Sequence, residues 1–205
     1  MDLYGEKAGL VPDRQWKSKT KALPWYPGET LNVGIGQGYF LATPMQLTLA
    51  TASLANDGNT YTPHLLLGDK NNKTNEVSVY NYENNKFYTA MKDPHHLHIV
   101  KNAMWRVVNE KRVGTASHLK KVKNIEYAGK TGTAQVYNLD KGKTGTKSLQ
   151  DHALFISYAP FESPEIVVTV VVENGGGGST TAAPIARDII EYYMDKKPTS
   201  VSMHE

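Results

Sequence analysis

The chain has 205 residues, a formal net charge of +3 and no cysteine. A hydrophobic fraction of 40% and a charged fraction of 21% are typical of a folded globular protein, not of a disordered one. The small net charge gives no reason to expect a nucleic-acid partner, and no apolar run reaches the length of a membrane-spanning helix. Disulfide and thiolate chemistry are excluded because there is no thiol.

Glycines and prolines punctuate the first thirty residues, which predicts mainly loop. A basic run, Arg14, Lys17, Lys19 and Lys21, is interpreted as a solvated face; an anionic glycan or lipid headgroup beside it is the alternative. Ser18 and Lys21 have the Ser-x-x-Lys spacing at which a lysine one helical turn away can take the proton of a serine. We reject this pair as a nucleophile, because the neighbouring lysines and prolines predict an exposed coil.

A glycine cluster and a helix follow. Residues 31–33 are predicted to form a short strand, and Gly-x-Gly-x-Gly at 34–38 fails the dinucleotide-binding fingerprint because Tyr39 holds the position of its last glycine. We interpret these glycines as backbone that packs too tightly for side chains. Thr-Pro-Met-Gln at 43–46 is a capping box with proline in the first turn, which predicts a helix to about Ala55.

Residues 68–93 are polar and rich in asparagine, which predicts mainly loop with a surface strand around Val77 and Val79. A helix is predicted from Asp93 to about Asn109, with its buried stripe formed by Leu97, Val100, Met104, Val107 and Val108. Three histidines lie near its start: His95, His96 and His98. They lack the carboxylate pair or cysteine that would complete a ligand set, so we interpret them as exposed and predict no metal site.

The strongest local pattern is Lys-Thr-Gly-Thr at residues 130–133, between two stretches with strand composition. Gly132 inside a strand indicates a bulge or a close approach by another group. Lys130 supplies a fixed charge, and Thr131 and Thr133 supply hydroxyl donors, a set that suits capture of a carboxylate. Because strand side chains alternate, a ligand shared by all three would lie along the edge of the strand and pair with its backbone.

Three similar patterns are rejected. Lys-Thr-Gly-Thr at 143–146 has no flanking strand, so we interpret it as a decoy in a polar loop. Gly-Lys-Thr at 129–131 and 142–144 lacks the earlier glycine of a phosphate-binding loop, so ATP binding is not expected. Ser117 and Lys120 repeat the Ser-x-x-Lys spacing, but they follow Gly-Thr-Ala at 114–116, which we interpret as a non-catalytic turn.

Two further strands, residues 153–158 and 166–172, are predicted to join the Lys-Thr-Gly strand in an antiparallel meander. The last of these is apolar on both faces, which predicts a position inside the sheet with cover on each side. A cap at residues 179–181 begins a final helix with one apolar face, formed by Ile185, Ile189, Tyr192 and Tyr193. The expected fold class is α+β, an antiparallel sheet with helices on its faces.

The motifs and their order resemble the class B penicillin-binding proteins. The matching stretches are Val-Gly-Ile-Gly-Gln-Gly at 33–38, Ala-Thr-Pro-Met-Gln at 42–46, Ala-Asn-Asp-Gly at 55–58, Pro-His-Leu at 63–65, Gly-Thr-Ala at 114–116, Gly-Lys-Thr-Gly-Thr-Ala-Gln at 129–135 and Glu-Asn-Gly-Gly at 173–176. Trp-Lys at 16–17 and Pro-Trp-Tyr at 24–26 favour the elongation-specific members over the division-specific ones. The resemblance covers residues 1–195 as the C-terminal portion of the transpeptidase domain, with 196–205 as a polar tail.

The resemblance implies a peptidoglycan D,D-transpeptidase that cross-links stem peptides ending in D-Ala-D-Ala and is acylated by β-lactams. It implies a catalytic role for Lys130 and Thr133, and substrate binding by Lys130, Thr131, Gly132 and Thr133. The nucleophilic serine and the Ser-x-Asn signature are expected before residue 1, so no nucleophile is assigned here and the isolated fragment is expected to be inactive. Neither a cofactor nor a metal is implied.

The implied partners are the stem peptide, β-lactam antibiotics, and the glycosyltransferase and scaffold proteins of the elongation machinery, with no nucleic acid. The implied location is the periplasmic face of the bacterial inner membrane, held there by an anchor outside this sequence. Two alternatives stay open. One is a non-catalytic module that binds the peptide or a β-lactam, and the other is a structural piece in which Lys-Thr-Gly is incidental.

Overall fold

A computed structural model of the protein describes residues 2, 4–82, 86–89, 93–122, 125–135 and 150–196. The chain forms two compact units, Met1–Lys92 and Asp93–Glu205. The helices of the first unit are α1 (Arg14–Lys21), α2 (Pro27–Gly34) and α3 (Pro44–Ala55), and its strands are β1 (Asn59–Tyr61), β2 (Gly68–Lys70), β3 (Val77–Val79) and β4 (Lys86–Tyr88). The second unit contains α4 (Pro94–Asn109), β5 (Ala128–Ala134), β6 (His152–Ala159), β7 (Ile166–Val172), a π-helical segment (Gly178–Ala182) and α5 (Ala183–Lys196).

The predicted coil around Ser18 is wrong, because α1 occupies that segment. The Asp13 side chain accepts a hydrogen bond from Trp16 N at 2.7 Å and so caps the helix, while the neighbouring prolines lie outside it. The solvated interpretation of the basic run fails at Lys17, which is buried at 2% exposure. Its Nζ lies 2.6 Å from Glu29 Oε2 and 4.3 Å from the centroid of the Tyr26 ring.

The strand predicted at residues 31–33 is also wrong, since those residues lie in α2. Pro27 begins this helix, and the Glu29 side chain accepts from Tyr26 N at 2.8 Å. Proline followed by a glutamate in the first turn is a helix-start signal, which the sequence analysis did not use for this segment. The interpretation of the glycines at 34–38 as tightly packed backbone is also wrong, because a Cβ on Gly36 would meet nothing within 4 Å. Gly36 and Gly38 instead have positive φ, at 74° and 75°.

Helix α3 begins and ends as predicted. Gln46 N donates to Thr43 Oγ1 at 3.1 Å, and Thr43 N donates to Gln46 Oε1 at 2.9 Å, which completes the capping box. Beyond it, two antiparallel pairs form, β1 with β4 and β2 with β3. The surface strand predicted at Val77 and Val79 is confirmed as β3, but β1, β2 and β4 were missed because three-residue strands give little periodicity.

Strands β5, β6 and β7 form the predicted antiparallel meander, in that spatial order. The expectation that residues 166–172 lie inside the sheet is wrong for the part of the chain described. Strand β6 is central and mostly buried, whereas β7 pairs only with β6 and stays largely half-buried. Apolar composition on both faces therefore did not distinguish the middle strand from its neighbour.

The core lies between this sheet and α5. Phe155 of β6 is fully buried and belongs to the same cluster as Ala182, Ala186 and Ile190. The apolar face predicted for α5 is not the face that packs, since Ile185, Ile189, Tyr192 and Tyr193 are all at least 40% exposed. The face that packs is formed by Ala183, Ala186 and Ile190, all fully buried. The hydroxyls of Thr180 and Thr181 donate to the carbonyls of Gly177 and Gly175, so they do not act as helix caps.

Helix α4 has the predicted bounds and begins with Asp93, which accepts from His95 N at 2.8 Å. Leu97 and Met104 are buried as predicted, but Val100 is 43% exposed. The three histidines near its start are exposed, as expected. The predictions at residues 136–137, 143–146 and 197–205 fall outside the described residues. In the described part of the chain, the helices are too short or too polar to span a bilayer.

The buried ion pair generates the first testable prediction. Lys17 holds the pKa of the Glu29 carboxyl below its usual 4.5 through their hydrogen bond, helped by Tyr26 N. The stability that this carboxylate contributes is therefore present above pH 4.5 and is lost as the pH falls through the lowered pKa. Glu29→Gln should lower the melting temperature at neutral pH, because it leaves the Lys17 ammonium buried without a counter-ion.

Differential scanning calorimetry between neutral and acid pH checks this. Glu162→Gln, at an exposed position, serves as the control and should melt like the wild-type chain. Equal melting temperatures for Glu29→Gln and wild type at neutral pH would contradict the assignment.

A second prediction concerns Tyr127, which is 2% exposed. Its hydroxyl has no hydrogen-bond partner among the described residues. Burial raises its pKa from 10.0 to about 12, with Arg187 opposing the shift and Asp188 adding to it. Because the core favours the neutral phenol, this contribution to stability is complete below pH 10 and is lost as the pH rises through about 12.

Tyr127→Phe should therefore raise the free energy of unfolding at neutral pH by about 1 kcal/mol, since no unpaired hydroxyl is desolvated. The variant should also lose less stability than wild type between pH 10 and 12. Urea denaturation at both ends of that range measures it, with Tyr192→Phe, at 67% exposure, as the matched control. Parallel pH profiles for wild type and Tyr127→Phe would show that the phenol is not buried in the neutral form.

Candidate active site

The Lys-Thr-Gly-Thr residues lie in the second half of β5. Lys130 pairs with Ile156 across the sheet, Thr131 with Phe155 and Thr133 with Ala153. The two threonines therefore share one face with the core residues of β6, and Lys130 lies on the other, as the alternation of strand side chains predicts. One edge of β5 is bonded to β6, and in the described chain no strand pairs with its other edge.

The Lys130 ammonium contacts the backbone of its own strand. Lys130 is exposed, and its Nζ donates to the carbonyl oxygen of Thr131 at 2.5 Å. The ammonium group thus folds back onto the backbone of the next residue. Thr131 is half-buried and Thr133 is exposed. A positive charge and two hydroxyl donors on one strand with an unpaired edge are a set that suits an anion that also pairs with backbone.

Gly132 marks a close approach of backbone, one of the two features that a glycine inside a strand indicates. A Cβ built on Gly178 would lie 2.4 Å from the carbonyl oxygens of both Gly132 and Leu154. The π-helical segment that starts at Gly178 therefore rests directly on the backbone of β5 and β6. A Cβ on Gly132 would lie 3.2 Å from Leu154 Cβ and within 4 Å of no atom of Gly178, so the contact requires a glycine at 178 and not at 132. The glycine run at 175–178 was the signal of this contact in the sequence.

The Gly-Thr-Ala turn brings in a residue that the sequence analysis did not assign to the site. Thr115 Oγ1 lies 3.0 Å from Thr131 Oγ1. Ser117 Oγ donates to Gly114 O at 2.8 Å, which agrees with the interpretation of this segment as a turn. Thr115 precedes β5 by more than ten residues and follows no periodic pattern, so only the coordinates could show the contact.

Neither Ser-x-x-Lys pair lies on a buried helix. Ser18 and Lys21 are both exposed on α1, and Lys21 Nζ lies 5.7 Å from the centroid of the Tyr39 ring. Ser117 uses its hydroxyl within the turn, which leaves it unsuited to attack. Neither pair is therefore assigned as a nucleophile. For Ser18 and Lys21 the reason is that both side chains are exposed on a helix, and not that the segment is a coil. Within the described ranges no group of three or more histidine, aspartate or glutamate side chains could hold a metal ion.

The family model described as the penicillin-binding protein transpeptidase domain matches residues 1–191. The chain is 40% identical over 212 residues to peptidoglycan D,D-transpeptidase MrdA of Haemophilus influenzae, covering 100% of this chain and 32% of that protein. Among solved structures, it is similar to Pseudomonas aeruginosa PBP2 in complex with WCK 5153, with a TM-score of 0.77 and 38% identity over 97% of this chain and 41% of that chain.

It is also similar to PBP2 of Helicobacter pylori in complex with MreC, with a TM-score of 0.72 and 33% identity over 95% of this chain and 33% of that chain. The chain thus spans about a third of the length of the curated relative. Matched motifs, fold and family model agree over nearly all of its residues. The chain belongs to the penicillin-binding protein transpeptidase domain family.

Proposed function

We propose that this chain supplies the carboxylate-binding wall of a peptidoglycan D,D-transpeptidase that acts in cell-wall elongation. The observation that carries the proposal is strand β5, which has an unpaired edge in the described chain and carries the Lys130 ammonium and the Thr131 and Thr133 hydroxyls. A stem peptide ending in D-Ala-D-Ala has a terminal carboxylate and a backbone that can pair with such an edge. The name of the Haemophilus influenzae relative supports this reaction and substrate.

In the proposed reaction a serine attacks the carbonyl of the penultimate D-Ala, and the terminal D-Ala leaves. An amine from a neighbouring stem peptide then takes the acyl group. Lys130 provides the positive field next to the anion, and the Thr131 and Thr133 hydroxyls bind the terminal carboxylate. The Thr133 N–H is one donor to the developing oxyanion, and Gly132 lets the substrate backbone approach.

The serine is proposed to come from polypeptide outside this chain. No Ser-x-x-Lys pair in the described residues lies on a buried helix, so the chain alone is not expected to be acylated. In this proposal residues 1–195 are the C-terminal portion of one transpeptidase domain and 196–205 are a tail. The alternative of a non-catalytic peptide-binding or β-lactam-binding module is favoured by the same observation, and covalent labelling distinguishes the two.

The proposed partners and location follow from the relatives. A scaffold protein is proposed because the Helicobacter pylori relative was solved in complex with MreC. β-Lactams are proposed because of the family to which the chain belongs, and a glycosyltransferase of the elongation machinery because of the elongation role. The proposed location is the periplasmic face of the inner membrane.

A chimera tests the catalytic proposal. This chain replaces the aligned 212 residues of the Haemophilus influenzae relative, whose remaining polypeptide then supplies the serine. We expect a fluorescent penicillin to label the chimera covalently and to leave the isolated chain unlabelled. Lys130→Ala in the chimera should slow labelling at least about tenfold, because a charge-assisted hydrogen bond to the carboxylate is lost.

Lys111→Ala, which removes the same charge from another exposed position in the second unit, is the control and should label at the unmodified rate. Labelling of the isolated chain would show that the nucleophile lies within it. A chimera that labels equally fast with and without Lys130 would refute the role given to the Lys-Thr-Gly strand.

The contact of Gly178 with β5 and β6 generates a further prediction. In Gly178→Ala the added methyl group would meet two backbone oxygens at 2.4 Å, one on each of the paired strands β5 and β6. We expect the variant to unfold more easily by about 1–3 kcal/mol, as overpacking usually costs. Gly28→Ala, where a Cβ meets nothing within 4 Å in a helix, should be neutral or stabilising. Urea denaturation compares them, and equal stability of both variants would contradict the described contact.

A further inference from the structure

A second hydroxyl lies against the carboxylate-binding strand. Thr115 Oγ1 is 3.0 Å from Thr131 Oγ1, and either oxygen can be the donor of that hydrogen bond. Thr131 is half-buried, whereas Thr115 is exposed. The pair therefore lies at the boundary with solvent, where a bound anion could reach Thr131. The Lys130 Nζ donates to the backbone carbonyl of Thr131 at 2.5 Å, so a positive charge lies at the same residue.

The turn that carries Thr115 is held in place from two helices. A Cβ on Gly114 would lie 2.4 Å from the carbonyl oxygens of Arg106 and Val107, so this glycine lets the turn rest on the end of α4. Ala116 is fully buried, and its N–H donates to Val107 O at 2.9 Å. Each contact fixes backbone on either side of Thr115, which limits where its hydroxyl can lie.

From α5, Arg187 Nε donates to Lys120 O at 3.0 Å, which holds the segment that follows the turn. The Arg187 side chain is itself oriented by Glu191, whose carboxylate lies 2.6 Å away. An exposed threonine on a loop ordinarily samples several rotamers. Here its backbone is restrained on both sides while its side chain remains at the surface, an arrangement suited to contact with a ligand site.

The direction of the hydrogen bond follows from counting hydrogens. A threonine hydroxyl has one hydrogen and accepts through its lone pairs. If Thr131 donates that hydrogen to a carboxylate, its oxygen can bond to Thr115 only as an acceptor. Thr115 must then be the donor, and its hydrogen bond both orients Thr131 and strengthens the bond that Thr131 makes to the anion.

We propose that Thr115 is a positioning residue of the carboxylate site, which donates to Thr131 so that Thr131 donates to the terminal carboxylate of the ligand. This inference rests on the proposed function. It differs from a purely structural role in one measurable respect. A contact that merely ties the turn to β5 would affect charged and neutral ligands alike, whereas an oriented donor favours the carboxylate form.

The experiment uses the 205-residue chain and two probes, N-acetyl-D-Ala-D-Ala and its C-terminal amide. Dissociation constants are measured by ¹H–¹⁵N NMR titration, and the same spectra report on folding. Thr115→Val should weaken binding of the acid about fivefold, the loss of one ordinary hydrogen bond, and should weaken binding of the amide less, because a neutral carbonyl oxygen is a poorer acceptor than a carboxylate. Thr115→Ser, which restores the hydroxyl, should recover most of the loss.

Thr48→Val is the matched control, because its hydroxyl donates to Pro44 O within α3 in the other unit, and both probes should bind it as they bind wild type. If the spectrum of Thr115→Val shows that this variant is not folded like wild type, the dissociation constants of acid and amide are measured for Thr115→Ala instead. Unchanged binding of the acid, equal losses for acid and amide, or no recovery in Thr115→Ser would overturn the inference. Absence of binding to wild type, or wild-type affinity in Lys130→Ala, would instead overturn the proposed function and this inference with it.

Discussion

Contact between the backbone of Gly178 and the paired backbones of β5 and β6 is the constraint on which the site depends. At 2.4 Å from a notional Cβ to two carbonyl oxygens, no side chain larger than hydrogen fits there. The contact holds the π-helical segment against the strand that carries Lys130 and the two threonines. Because α5 begins directly after that segment, the core packing of Ala186 and Ile190 and the position of the site are coupled.

The Gly178 contact supports the strand that carries the charge and the hydrogen-bond donors of the candidate site. Lys130 Nζ donates to the Thr131 carbonyl, and Thr115 contacts the Thr131 hydroxyl from the turn after α4. These groups belong to β5 and to a turn held by α4, so their spacing depends on the packing of the second unit. In the proposed function, a ligand carboxylate would replace solvent at this surface, and donors held by the surrounding fold lower the cost of binding.

Sequence reasoning succeeded where a local signal was complete. The capping box at Thr43, the Asp93 start of α4 and the three-strand meander were all predictable, because each depends on neighbouring residues or on long apolar strands. It failed where tertiary contacts decided the outcome. Lys17 is buried because Glu29 lies beside it, and α5 packs through alanines because the sheet is close. Thr115 could not be assigned from the sequence, since its contact joins segments that share no pattern.

Amide hydrogen exchange along β5 measures whether one edge of this strand is open to a ligand. Alternate amides between Ala128 and Ala134, those bonded to β6, should exchange slowly in the free chain while those on the open edge exchange fast. Adding N-acetyl-D-Ala-D-Ala should slow exchange at the open-edge amides. Uniformly fast exchange throughout β5, or protection on both edges without ligand, would show that β5 is not an open binding edge.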